Sequence, residues 1–335
     1  MKNKKKIVCL GGGTGVSMIL SGLADSPFEL DAIVTMFDDG GSSGRIAKEF
    51  CILPPGDIRQ CLIATSKDKD AVSDFRYRFE EGFLKGHNFG NLLILKSVSQ
   101  AGGDWSKAIE KLRRKLNVRV KIYPVTLERT RIKAVLNNNK EIIGEENIVN
   151  SKHISRIGIK KLYLKPKVKV NSRAISAIKK ADLITIGPGK FYTSVIPNLL
   201  VKGIPEAIRH SKGKKVFICN LMTQEGNTDN FKVNDFVEII EKYLGKGVID
   251  YVIFNTVKLK PELMKKVKKI FPKINFVKYD KNLLKEKGFI GKNFLDMRIR
   301  RLNPADVLVK GTNQRTIVFH DSKKLAKTIL NLCRQ

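Results

Sequence analysis

The sequence predicts a doubly wound α/β fold, with a mostly parallel sheet, helices on both faces and one small β-rich insertion. Short apolar runs without polar alternation recur along the chain, as strands buried on both faces require. Segments of helical periodicity fill the intervals between them. Two of the runs end in glycine-rich turns that open helices, GGGTG at 11–15 and GPG at 187–189.

In chain order, Lys4 to Leu10 reads as a buried strand, Val16 to Ala24 as a helix and Ala32 to Phe37 as a second strand. Pro54 and Pro55 stand where a helix begins, since proline in a first turn gives up only an unpaired N–H. Val72 to Glu81, Asn91 to Ser99 and Trp105 to Leu116 continue the helical pattern, with Asp104 as a cap for the last. From about 119 to 165 short alternating runs flank a turn at Asn137, Asn138 and Asn139, the signature of a β-rich insertion or edge hairpin. Strands are then expected at Leu183 to Ile186, Val216 to Asn220, Tyr251 to Asn255 and Ile274 to Lys278. Helices at Asn171 to Lys180, Pro205 to His210, Asn234 to Tyr243 and Pro261 to Phe271 separate them, and Lys323 to Leu332 closes the chain. No repeat or linker interrupts the pattern, so residues 1–335 read as one domain.

At 335 residues with 42% hydrophobic side chains, 26 Gly and 11 Pro, the composition excludes collagen-like and disordered classes. Five cysteines without a C-x-x-C pair read as buried reduced thiols. The basic start has too short an apolar stretch for a signal peptide, and no segment is apolar enough to span a bilayer, so a cytoplasmic protein is expected. The net charge of +32 is uneven: residues 1 to 100 hold 13 Lys and Arg against 12 Asp and Glu, and the rest hold 51 against 20. Lysine outnumbers arginine by 47 to 17, which favours a solvated basic surface over specific nucleic-acid readout. The competing nucleic-acid reading would use Lys152 to Lys180, which carries ten Lys and Arg and no acid.

Chemistry concentrates at the ends of strands, the edge where such sheets place ligands. Gly11, Gly12, Gly13, Thr14 and Gly15 offer backbone N–H groups at a helix start for a phosphate, or form a plain tight turn. Asp38, Asp39, Gly40, Gly41, Ser42, Ser43, Gly44 and Arg45 put carboxylates, hydroxyls and an anion nest after the second strand. Asp57 and Arg59 follow in a helix start, so Asp38, Asp39 and Asp57 are candidate ligands for Mg²⁺ and Arg59 for phosphate. His87, Asn88 and Asn91 precede another helix: His87 reads as a general acid/base or as a histidine tied to backbone, and Asn88 and Asn91 either read a ligand or cap that helix. Gly187, Pro188 and Gly189 form a second anion turn, with hydroxyls at Tyr192, Thr193 and Ser194, and Asn220 and Thr223 end a third strand. No covalent-catalysis motif is present, and no catalytic residue is assigned.

Taken together, GGGTG, DDGGSSGR, LPPGDIR, GHNFGNLL, YPVTLE, ADLITIGPG, YTSVIPNLL and CNLMTQ, in this order, resemble the bacterial gluconeogenesis factor family (YvcK-type). That family is a branch of the CofD-like superfamily that includes 2-phospho-L-lactate transferase. The resemblance implies a Rossmann-like, three-layer fold and a cytoplasmic regulatory protein that binds a nucleotide-linked ligand, a UDP-sugar. It also implies a role in cell shape, cell-wall precursor supply and growth on gluconeogenic carbon sources. The transferase branch implies the alternative, Mg²⁺-dependent transfer of a phospholactyl-type group from a nucleotide diphosphate donor. Against the family pattern, Lys190 replaces a small hydroxyl, Asn227 a carboxylate, Phe319 an arginine and Val267 a tyrosine. The expected partners are a nucleotide-sugar and regulatory proteins of wall synthesis, with no specific nucleic acid and no membrane span. The apolar run VIPNLLV at 195–201 is a candidate homodimer face.

Overall fold

The computed structural model describes residues 4–298, 303–308 and 317–335. Seven parallel strands make the main sheet, in the order β10-β9-β8-β7-β1-β2-β3. Strand β1 (Lys6–Gly11) leads to β2 (Glu29–Val34) and β3 (Lys121–Pro124) on one side. On its other side β7 (Leu183–Ile186), β8 (Lys214–Ile218), β9 (Tyr251–Asn255) and β10 (Phe289–Lys292) follow outward. The order therefore reverses between β1 and β7, and a crevice opens at such a reversal because the connections leave to opposite faces.

Both sheet faces are covered, which explains why β1 and β7 are apolar throughout: Ile7, Val8, Leu183 and Ile184 are fully buried. Helix α1 (Gly13–Leu23) packs against α3 (Gly56–Thr65) and α14 (Ser322–Arg334), while α11 (Ile204–His210) packs against α9 (Ser172–Lys179) and α12 (Val233–Leu244). A separate three-stranded antiparallel sheet, in the order β5-β4-β6, comes from β4 (Arg131–Leu136), β5 (Glu141–Ile143) and β6 (Ile159–Lys165). It is the expected insertion, turned at the asparagines, with Asn139 at φ 63. Between β5 and β6 lies the short helix α7 (Glu145–Val149).

Several expectations need correction. The run after residue 119 is not all insertion, because β3 pairs in parallel with β2 as the edge of the main sheet. The helix expected from Val72 ends at Arg76 (α4, Lys69–Arg76), since Arg78 forms a bridge with Asn88. Residues 274–278 form only isolated bridges, and the outermost strand is β10. The VIPNLLV run is interior: Val195, Ile196, Leu199 and Val201 are buried, so the apolar pattern serves the core and offers no dimer face. Four cysteines are buried, but Cys51 is exposed. No helix among the described residues is long and apolar enough to cross a membrane. Between Lys160 and Lys180 every lysine is exposed.

Candidate functional site

A cavity of about 770 Å³ lies over the strand ends at the β1/β7 reversal. Its floor is made by the two glycine turns. Gly15 has to be glycine because a Cβ there would overlap the Pro188 carbonyl, so the turns after β1 and β7 pack backbone on backbone. The first turn is not a bare phosphate cradle, because the Gly13 N–H is bonded to the Asp57 carboxylate from the first turn of α3. Gly11 and Gly187 do not line the cavity, whereas Gly12, Thr14, Pro188 and Gly189 do.

After β2, Asp38 accepts the Gly40 N–H at 3.1 Å and faces the crevice. Asp39 turns the other way. Its Oδ1 accepts the Glu146 N–H at 2.8 Å and its Oδ2 pairs with Arg131 at 3.3 Å, which ties the lip to the insertion. Gly40, Gly41, Ser42 and Ser43 line the cavity at the start of α2 (Gly41–Glu49), whose first turn carries no acidic side chain while Asp38 bonds the N-cap Gly40 just before it. The two hydroxyls also hold the walls: Ser43 accepts the Gly56 N–H and Ser42 the Asn88 N–H, each at 3.0 Å. Gly44 and Arg45 lie off the cavity, and Arg45 is exposed.

Arg59 lines the cavity and is 5% exposed; Asn91 orients it by accepting from its Nε at 2.9 Å. Asn88 takes the capping role, its side chain accepting the Asn91 N–H at the start of α5 (Phe89–Gln100). His87 stays outside the cavity, 3.5 Å from the Ser42 hydroxyl, and burial with nearby Arg45 lowers its pKa. Across the crevice, Asn220 donates to the Gly189 carbonyl at 2.8 Å and leaves its buried Oδ1 without a partner. Thr223 is spent on the backbone of Asn275.

The residue that sequence reasoning missed is Glu145. It comes from α7 of the insertion, is 4% exposed, and its Oε1 accepts from Lys190 Nζ at 3.0 Å and Thr193 Oγ1 at 3.3 Å. Its Oε2 is buried without a partner. The only local sign was a glycine followed by two acids at a helix start, which reads equally as capping. Asp38, Asp57 and Glu145 therefore face one ammonium. Burial, then Glu145 and Asp57, push the Asp38 carboxyl up to about 8, and burial raises Asp57 to about 6.

The residues do not fit the Mg²⁺ set of Asp38, Asp39 and Asp57. Asp39 is committed to the insertion, and among the described residues no three His, Cys, Asp or Glu side chains converge as metal ligands. The far half of the crevice is apolar, with Leu221, Met222, Val267, Phe271, Ile274 and Ile317 on its wall. Val267 and Phe319, two of the departures from the family pattern, both line it. His320 lines it too, neutral because burial drives it down to about 4.

The fourth departure, Asn227, is structural. Its buried amide donates to the Val149 and Ser151 carbonyls at 3.2 and 3.3 Å and pins the insertion that carries Glu145. A carboxylate there would meet those carbonyls with no proton to give, so Asn227→Asp is expected to cost about 3 kcal/mol, read from urea unfolding. A loss under about 0.5 kcal/mol would show that this pin is dispensable.

A family model described as 2-phospho-L-lactate transferase CofD matches residues 7–291. The chain belongs to the CofD family. Within it, the chain is 36% identical over 338 residues to a gluconeogenesis factor of Bacillus subtilis, covering 100% of both chains. It is 43% identical over 253 residues to the gluconeogenesis factor of Halalkalibacterium halodurans, covering 75% of this chain and 77% of that one. A crystal structure of a UPF0052 family protein from Bacillus halodurans superposes with a TM-score of 0.85 at 36% identity, over 98% of this chain and 100% of that one. The α/β fold of this chain is thus shared with its structural neighbour over nearly the whole length.

Proposed function

We propose that this protein is a gluconeogenesis factor that works as a regulatory binding protein in the cytoplasm, taking a UDP-sugar in the β1/β7 crevice. Through that ligand it would couple wall-precursor supply to cell shape and to growth on gluconeogenic carbon sources. The names of its relatives support the general role. The observation that carries the ligand class is the two-sided lining: one half is lined by the cationic Arg59 and Lys190 and the start of α2, which suit phosphates, and the other offers an apolar seat for a base. Binding of this kind needs convergent polar groups beside an apolar surface and no proton transfer.

The test is thermal unfolding with UDP-sugars, UDP and GDP at fixed salt. A ligand at about a hundred times its dissociation constant adds roughly 2.7 kcal/mol, so UDP-sugars are expected to raise the melting temperature by several degrees without being consumed. No shift with any uracil nucleotide would overturn the reading.

The description of the matching family model favours a second reading, transfer of a phospholactyl-type group from a nucleotide diphosphate. Turnover of such a donor, measured directly, would replace the first reading with the second.

A further inference from the structure

The three crevice carboxyls come from separate parts of the chain: Asp38 after β2, Asp57 in α3 and Glu145 in the insertion. Burying them together is unfavourable unless a positive charge is shared among them. The shared positive charge is that of Lys190. Its Nζ sits 3.0 Å from Glu145 Oε1, and its field lowers the cost of ionising both Asp38 and Asp57. The glycine turn places it there: Lys190 directly follows Gly189 and caps the helical turn Phe191–Val195. Its side chain is 38% exposed against 5% for Glu145, so it balances the buried acids while still facing the open crevice.

We infer that the Lys190 ammonium stands where a divalent cation would otherwise be needed, so that this chain binds an anionic, phosphate-bearing ligand without metal. Three facts converge on this. Each carboxyl already has an oxygen engaged by a protein donor: Gly40 on Asp38, Gly13 on Asp57, and Lys190 with Thr193 on Glu145. The remaining acid of the local sequence, Asp39, is held by Arg131 and the Glu146 N–H. A divalent ion entering beside an ammonium would meet like-charge repulsion inside a site of low dielectric.

The experiment uses Mn²⁺ as the probe, followed by paramagnetic resonance on the full chain, with wild type, Lys190→Ser and Lys190→Arg. Melting curves establish that each variant is folded, and Lys190→Met replaces the serine variant if that one is not. Wild type and Lys190→Arg are expected to leave Mn²⁺ free. The neutral variant, with Asp38, Asp57 and the unpartnered Glu145 Oε2 lacking a counter-charge, is expected to bind one ion per chain about a hundredfold more tightly than wild type. Stoichiometric Mn²⁺ on the wild type, or none on a folded neutral variant, would overturn the inference.

A second arm rests on the nucleotide reading proposed above. The thermal shift of wild type with UDP or a UDP-sugar is expected to survive EDTA, and that of the neutral variant to require Mg²⁺. A wild-type shift abolished by EDTA overturns the inference about Lys190. If no nucleotide shifts the wild type, the nucleotide reading fails while the Mn²⁺ comparison still decides the role of Lys190.

Discussion

At pH 8 the Asp38→Asn protein is expected to melt about 5–10 °C above the wild type, with the gap closing as the pH falls toward 4. The sign follows from burial. Asp38 has a native pKa raised to about 8 from an ordinary 3.8, so between those values the native state holds a proton that the unfolded chain has lost. Stability from this group is fully present below about pH 4 and drains away as the pH rises through 8, a total on the order of 5 kcal/mol. Asp57, raised to about 6, adds a smaller loss in the same direction between about pH 4 and 6. Asparagine keeps an acceptor for the Gly40 N–H and has no charge to bury. Calorimetric melts at pH 4, 6 and 8 decide the matter: a gap of constant size across that range would mean that Asp38 ionises as it does in water.

The second large effect is expected from Gly15→Ala. In an exposed helix alanine would be favoured over glycine by about 1 kcal/mol. Here the new Cβ lands on the Pro188 carbonyl, which is backbone and has no flexible end to move aside. The two glycine turns must separate, and Gly189 and Lys190 move with them. A destabilisation of about 3 kcal/mol is expected, together with loss of the nucleotide-induced thermal shift. Gly102→Ala is the control: its φ of +62 is strained for alanine, but nothing lies within 4 Å, so about 1 kcal/mol is expected. Equal losses in the two variants, measured by urea unfolding, would mean that the turn-on-turn contact is not tight.

Much of this molecule was legible residue by residue. Strands β7 and β9 fall at the positions their apolar runs indicate, and Asp104 caps its helix as its place before Trp105 suggests, the side chain accepting the Lys107 N–H at 3.0 Å. The failures are also physical. β10 contains Gly291 and only a short apolar run, so nothing local marks it; it becomes a strand because β9 offers it an edge. β3 looks like part of the hairpin that follows, and only its pairing with β2 assigns it to the main sheet.

The candidate site divides along the same line. That strand ends and glycine turns would meet in one crevice followed from the fold class, since a doubly wound sheet gathers them at one edge. What each polar group meets there did not follow. Asp39 finds its partner 107 residues away and Lys190 finds Glu145 across 45, from an insertion whose sequence reads only as a hairpin. Helix periods and caps are set by neighbours within a few residues, so the sequence by itself determines them. The charge balance of a buried site is set by whichever groups the packed chain brings within a few ångströms, and only the tertiary structure decides that.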